Sequence, residues 1–190
     1  MKRFKHPQNP LHLIGRGVQI ADEHLPVRIG GDAALLQGFA KTILSQGGAD
    51  LDFISANTLG FEDWKKHIES TDWEKIVEQS GISRDRIEKT GNAIAKSERM
   101  IVCWAMGLTQ HENSVAVIQE VSNLLLAGGH FGKPGAGACP VRGHSNVQGD
   151  RTVGVNHHPT EDFISSCESE TGINMPRKKG YDVVEFIHAA

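Results

Sequence analysis

Apolar side chains recur at helical spacing through the first half of the chain. After Asp32, the positions Leu35, Leu36, Phe39, Ala40, Ile43 and Leu44 fall on one face. They predict a helix with Asp32 as its cap, ended by Gly47 and Gly48, because glycine is favoured just past a helix C-terminus. From Phe61 to about Gln79 the pattern predicts two short helices carrying Trp64, Ile68, Trp73, Ile76 and Val77, stopped by Gly81. Ser83 is placed to cap a further helical stretch through Ile87, Ile94 and Ala95. Residues 1–31 hold no period. Pro7, Pro10, Pro26, Gly15 and Gly17 break it, and the segment is expected to be an irregular lead-in.

The pattern then changes. MIVCWAMG, residues 100–107, is a short continuous apolar run ending in glycine, which predicts a buried parallel strand with Ile101 and Val102 inside. HENSVAVIQEVSNLLLAGG follows, with Val115, Ile118, Val121, Leu124 and Leu125 on one face and Gly128-Gly129 as the stop. Strand, tight turn and helix make an α/β unit, whose strand end and helix start form a natural ligand site. Gly132 to Asp150, GKPGAGACPVRGHSNVQGD, has no hydrophobic period, and residues 153–180 read as polar and irregular. YDVVEFIHAA at the end is helical in spacing and stops at Ala190 without a polar tail, which suggests a cut. No internal repeat or low-complexity tract is present.

Composition narrows the function classes. With 190 residues the chain can bury a real core, and 38% hydrophobic and 23% charged residues are ordinary for a globular protein. The formal net charge of −3, with scattered basic residues, argues against a nucleic-acid footprint. No apolar run approaches the roughly 20 residues of a membrane span, and MKRFKHPQNP leads into no signal-peptide core, so a cytoplasmic location is the default expectation. Cys103, Cys139 and Cys167 are far apart in sequence and form no CxxC pair, so neither a disulfide framework nor a zinc ribbon is indicated. The ten histidines include His157-His158 in a polar loop but no HExxH helix, and no metal-ligating residue is assigned.

Two stretches carry candidate chemistry. In AMGLTQH, residues 105–111, Gly107 lets the backbone approach a ligand, and Thr109 and Gln110 offer a hydroxyl and an amide at the strand's carboxyl end. The plain alternative is an ordinary strand-to-helix turn. The glycine-rich stretch is neither a Walker A loop, since Pro134 follows Gly132-Lys133, nor GxGxxG opening a helix. Its glycines can follow a ligand surface, and Arg142, beside Gly143, His144, Asn146 and Gln148, could grip a phosphate or carboxylate with a bidentate fork. A surface loop with a solvated arginine is the competing reading.

Taken together, WAMGLTQH, NSVAVIQEVSNLLLAGGHFGKPGAG and CPVRGHSNVQGDRTVG resemble the molybdopterin oxidoreductase family, in its formate dehydrogenase-like alpha-subunit branch. GGDAALLQGFAKTIL and the block around GFEDWKKHIE are similar to the family's upstream segment. The resemblance implies an α/β fold, a three-layer parallel-sheet cofactor domain of the formate dehydrogenase/DMSO reductase type, present here in part. It implies a lead-in over 1–31, part of the cofactor domain over 32–145 and the start of the next domain over 146–190. The implied cofactor is molybdenum (sometimes tungsten) bis-(molybdopterin guanine dinucleotide), with an iron–sulfur cluster in the longer parent but not in this segment. Cofactor contacts are implied for Met106, Gly107, Thr109, Gln110, Gly143, Asn146, Gln148 and Gly149, and catalytic roles for Arg142 and His144. A planar cationic fork at Arg142 suits a small carboxylate such as formate.

Two departures qualify the resemblance. The family's metal ligand lies upstream of this segment, and none of the three cysteines matches it, so the segment alone is expected to be inactive without the remaining domains of its parent. Formate dehydrogenases proper usually carry glutamine where His144 stands, which leaves formate or a similar small substrate as the expectation. A non-catalytic nucleotide- or pterin-binding module is the alternative, and a purely structural domain the third reading.

Overall fold

A computed structural model describes residues 2–156 and 158–190, in two compact units, Met1–Arg142 and Gly143–Ala190. The tandem-histidine reading falls partly on His157, which lies outside the described residues.

The first unit opens with more order than expected. Strands β1 (Arg3–Phe4) and β2 (Val18–Gln19) pair antiparallel around helix α1 (Pro10–Ile14). Pro10 starts this helix rather than breaking the chain: Asn9 Oδ1 accepts from the Leu11 amide at 3.0 Å, and proline's fixed φ suits a first turn. The lead-in is therefore not wholly irregular.

Helix α2 (Asp32–Ser45) is the centre of the unit, and its cap is Gly31, with Asp32 as the first helical residue. Glycine is required at 31 by crowding, since a Cβ there would lie 2.4 Å from the Gln79 carbonyl oxygen. Around α2 pack α4 (Phe61–Ser70), α5 (Trp73–Ser80) and α6 (Arg84–Ala95), and they bury Phe39, Ile43, Ile68, Ile76, Ile82 and Ile87. These helices lie where the periodicity places them, and Gly81 closes α5 with φ of 69°. Lys41 Nζ reaches the end of α4 and donates to the carbonyls of Ile68, Glu69 and Thr71 at 3.2, 2.6 and 2.9 Å, neutralising its unpaired acceptors. Helix α3 (Leu51–Asn57) escapes the sequence pattern because only Ile54 is buried; it is started by Asp50, whose carboxylate accepts from the Phe53 amide at 3.0 Å.

Strand β3 (Ile101–Trp104), a 3₁₀ turn at Met106–Leu108, helix α7 (Ser114–Ala127) and strand β4 (Gly137–Pro140) follow. The strands are parallel, in the register Ile101↔Gly137, Val102↔Ala138, Cys103↔Cys139 and Trp104↔Pro140. The parallel expectation holds, but the burial does not. Ile101 is 54% exposed and Val102 only half-buried, because the described sheet has two strands and one of its faces is uncovered. Strand β4 was hidden inside the glycine-rich stretch, where Gly137 and Ala138 give no apolar signal. Helix α7 buries Val117, Val121, Leu124, Leu125 and Ala127, while Val115, in its first turn, is 70% exposed rather than on the inner face.

The second unit contains α8 (Val147–Thr152), α9 (Glu161–Thr171) and α10 (Val183–Ala189). Helix α9 corrects the irregular reading of residues 153–180, and α8 begins inside the glycine-rich stretch that shows no hydrophobic period. Thr160 caps α9 by accepting from the Phe163 amide, Gly172 ends it with φ of 68°, and Arg177 binds Glu161 and Glu168 along it. Helix α10 is where its spacing predicts, started by a reciprocal capping box between Asp182 and Glu185.

Candidate active site at the strand ends

Parallel strands deliver their carboxyl ends to the same edge, and here that edge carries both candidate motifs. Beyond β3 the chain enters the turn 105–110; beyond β4 it enters Val141 and Arg142. The Val141 amide donates to the Trp104 carbonyl at 2.7 Å, so the ladder continues to the threshold of Arg142. The guanidinium of Arg142 is exposed and forms no ion pair among the described residues.

A cleft of about 570 Å³ lies at the end of β3, walled on one side by Cys103, Ala105 and Gly107 and on the other by Arg28, Gly30 and Asp32. A Cβ on Gly107 would meet nothing within 4 Å, so the backbone there is open to a ligand. The opposite wall is held by Arg28, whose Nη1 donates to the Glu78 carbonyl at 2.7 Å and whose amide donates to the Ser80 carbonyl at 2.9 Å. That pins the 27–32 loop to the end of α5. Sequence reasoning missed this wall: Asp32 read as a helix cap, and nothing local marks Arg28 as its anchor.

Of the turn residues, Gly107 lines the cleft. Met106, Thr109 and Gln110 stand exposed on the same turn, with Thr109 Oγ1 3.5 Å from the Met106 carbonyl and Gln110 Nε2 3.4 Å from Met106 Sδ. Gly143, His144, Asn146, Gln148 and Gly149 all belong to the second unit. Gly143, His144 and Asn146, with Asp150, line a separate open cleft of about 430 Å³ there; Gln148 and Gly149 lie on α8 and are exposed. Among the described residues no three His, Cys, Asp or Glu side chains converge as a metal site. No described helix is long and apolar enough to cross a membrane.

Comparison with known proteins fixes the class. Residues 1–189 match the molybdopterin oxidoreductase family, and the chain belongs to it. It is 40% identical over 98% of its length to an uncharacterized oxidoreductase of Mycobacterium tuberculosis, and 38% identical over its whole length to the protein YdeP of Escherichia coli. It spans about a quarter of each of these relatives, 25% and 26% of their lengths. Among solved structures it is similar to acetylene hydratase from Pelobacter acetylenicus, with a TM-score of 0.58 and 28% identity, over 61% of this chain and 16% of that one. Family membership implies a molybdenum–pterin cofactor.

Proposed function

We propose that this chain is the part of a molybdopterin-dependent oxidoreductase that holds one guanine dinucleotide arm of a bis-(molybdopterin guanine dinucleotide) cofactor and presents Arg142 to formate or a similar small anion. One observation carries the reading: the 105–110 turn and Arg142 leave the same edge of one parallel strand pair, joined by the Val141–Trp104 hydrogen bond. The cofactor would supply two-electron chemistry; the chain's own residues bind and orient. Its cleft is of a size suited to a nucleotide portion of such a group. Open space at Gly107 allows close backbone approach, and the Asp32 carboxylate offers the acceptors that the N1–H and amino group of guanine require. Arg142 offers a planar cationic fork for a carboxylate. The unpaired edges of the two-stranded β3–β4 ladder leave room for further strands in the longer parent and its uncovered face for a helical layer, as the three-layer sheet requires. The parent would also carry the metal ligand and an iron–sulfur cluster.

Metal and nucleotide analysis of the longer protein, purified from a host that makes molybdopterin, tests the reading. About one molybdenum or tungsten per chain, with guanine nucleotide released on denaturation and loss of that nucleotide in Asp32→Ala, is the expected result. Protein carrying neither metal nor nucleotide would overturn it and favour a non-catalytic binding module.

A further inference from the structure

The cysteines separated by 36 positions in sequence, Cys103 and Cys139, are register partners in the parallel ladder. Register partners in adjacent parallel strands point to the same face, and their Cα atoms lie about 4.8 Å apart. That falls inside the roughly 4.4–6.8 Å window that a disulfide spans without backbone movement. Both residues are exposed, on the face where Ile101 is also uncovered. Local desolvation, and then the neighbouring Cys139 thiol, push the Cys103 thiol up from its ordinary range, as expected of two sulfurs in contact. Neither sulfur is used by the proposed cofactor contacts, although Cys103 stands in the cleft wall.

We propose that Cys103 and Cys139 form a reversible dithiol–disulfide switch whose oxidant is a low-molecular-weight disulfide of the glutathione class. One thiolate attacks a sulfur of the small disulfide, forming a mixed disulfide and expelling one thiolate. The partner, deprotonated, attacks the protein-side sulfur of that mixed disulfide and expels the second. The protein pair loses two electrons and two protons, and one small disulfide becomes two small thiols. The new bond staples β3 to β4 one register pair, Trp104↔Pro140, before Ala105 and Val141, and so restricts the spacing between the 105–110 turn and Arg142. This inference rests on strand register and not on the cofactor reading, so either can fail alone.

The test is a titration of the full-length protein with oxidised and reduced glutathione, quenched in acid, alkylated and mapped by mass spectrometry. The expected result is a peptide pair joining Cys103 to Cys139 with loss of two alkylation events, reversed by reduced glutathione. The cross-link disappears in Cys103→Ser and in Cys139→Ser and persists in Cys167→Ser. Amide exchange across residues 105–110 slows in the oxidised form. Two outcomes would overturn the proposal: glutathione adducts that never resolve into the cross-link, or thiols that react only after denaturation.

Discussion

Gly91 of α6 lies directly against Thr42 of α2: a Cβ built on Gly91 would sit 2.7 Å from the Thr42 Cβ. Thr42 is itself buried and tied down, its hydroxyl donating to the Gly38 carbonyl at 2.8 Å. Helix propensity alone favours Gly91→Ala by up to about 1 kcal/mol, but overpacking a tight helix contact costs about 1–3 kcal/mol. The clash should win. Gly91→Ala is expected to lower the denaturation midpoint, and the double variant with Thr42→Ser should recover part of the loss. A higher midpoint for the single variant would mean that α6 shifts away freely.

Arg142 is predicted to act on substrate rather than on folding. It is exposed and unpaired among the described residues, so Arg142→Lys should leave the thermal midpoint unchanged. If the guanidinium grips a carboxylate, losing one charge-assisted hydrogen bond costs about 1.5–3 kcal/mol, a roughly 10- to 150-fold drop in kcat/KM for formate. Steady-state kinetics of the longer enzyme check this. Equal kcat/KM for the lysine variant would remove Arg142 from the site.

In the second unit, hydrogen bonds from Arg177 and from the Met175 amide hold the Glu168 carboxyl well below its ordinary value near 4.5, at about 2. A depressed folded value means that the ionised form contributes stability fully above pH 4.5, and that this contribution fades as pH falls toward 2. Carbon NMR of the Glu168 carboxyl should therefore titrate near 2, and Arg177→Gln should move the midpoint upward. A midpoint near 4.5 in the unmodified chain would show that the clamp is not formed in solution.

His130, only 3% exposed, has no hydrogen-bond partner for Nδ1 among the described residues. Burial first, then the Lys133 charge, lower its pKa from the ordinary 6.5, while Asp50 opposes them. The unfolded chain thus takes up a proton near pH 6.5 that the folded chain refuses, and stability falls as pH drops below that value. Denaturant unfolding at a series of pH values should show this slope, and His130→Phe should flatten it. An unchanged slope would assign the acid sensitivity to other groups.

The helical cluster was legible because α2, α4, α5 and α6 each combine a one-sided apolar stripe with a punctuating glycine or cap. The strand at 101–104 was legible as a strand but not in its burial, since periodicity records apolarity and not what covers it. Helix α9 was missed because Thr160 and the Arg177 clamp define it more than Phe163 and Ile164 do. At the site, the motif residues Gly107 and Arg142 could be named from sequence alone. The Arg28–Asp32 wall could not: it depends on a hydrogen bond between residues 28 and 78, a distance no local pattern reports.

The two-stranded ladder also bears on the order of folding. Helices α2, α4, α5 and α6 are near neighbours in sequence and close their core over short connections, so they are expected to condense early. The strands β3 and β4 must wait for α7 and the loop after it to bring residue 137 back to residue 101, a long closure for few hydrogen bonds. The edge that carries the turn and Arg142 is thus expected to take shape after the helical core, and to open before it.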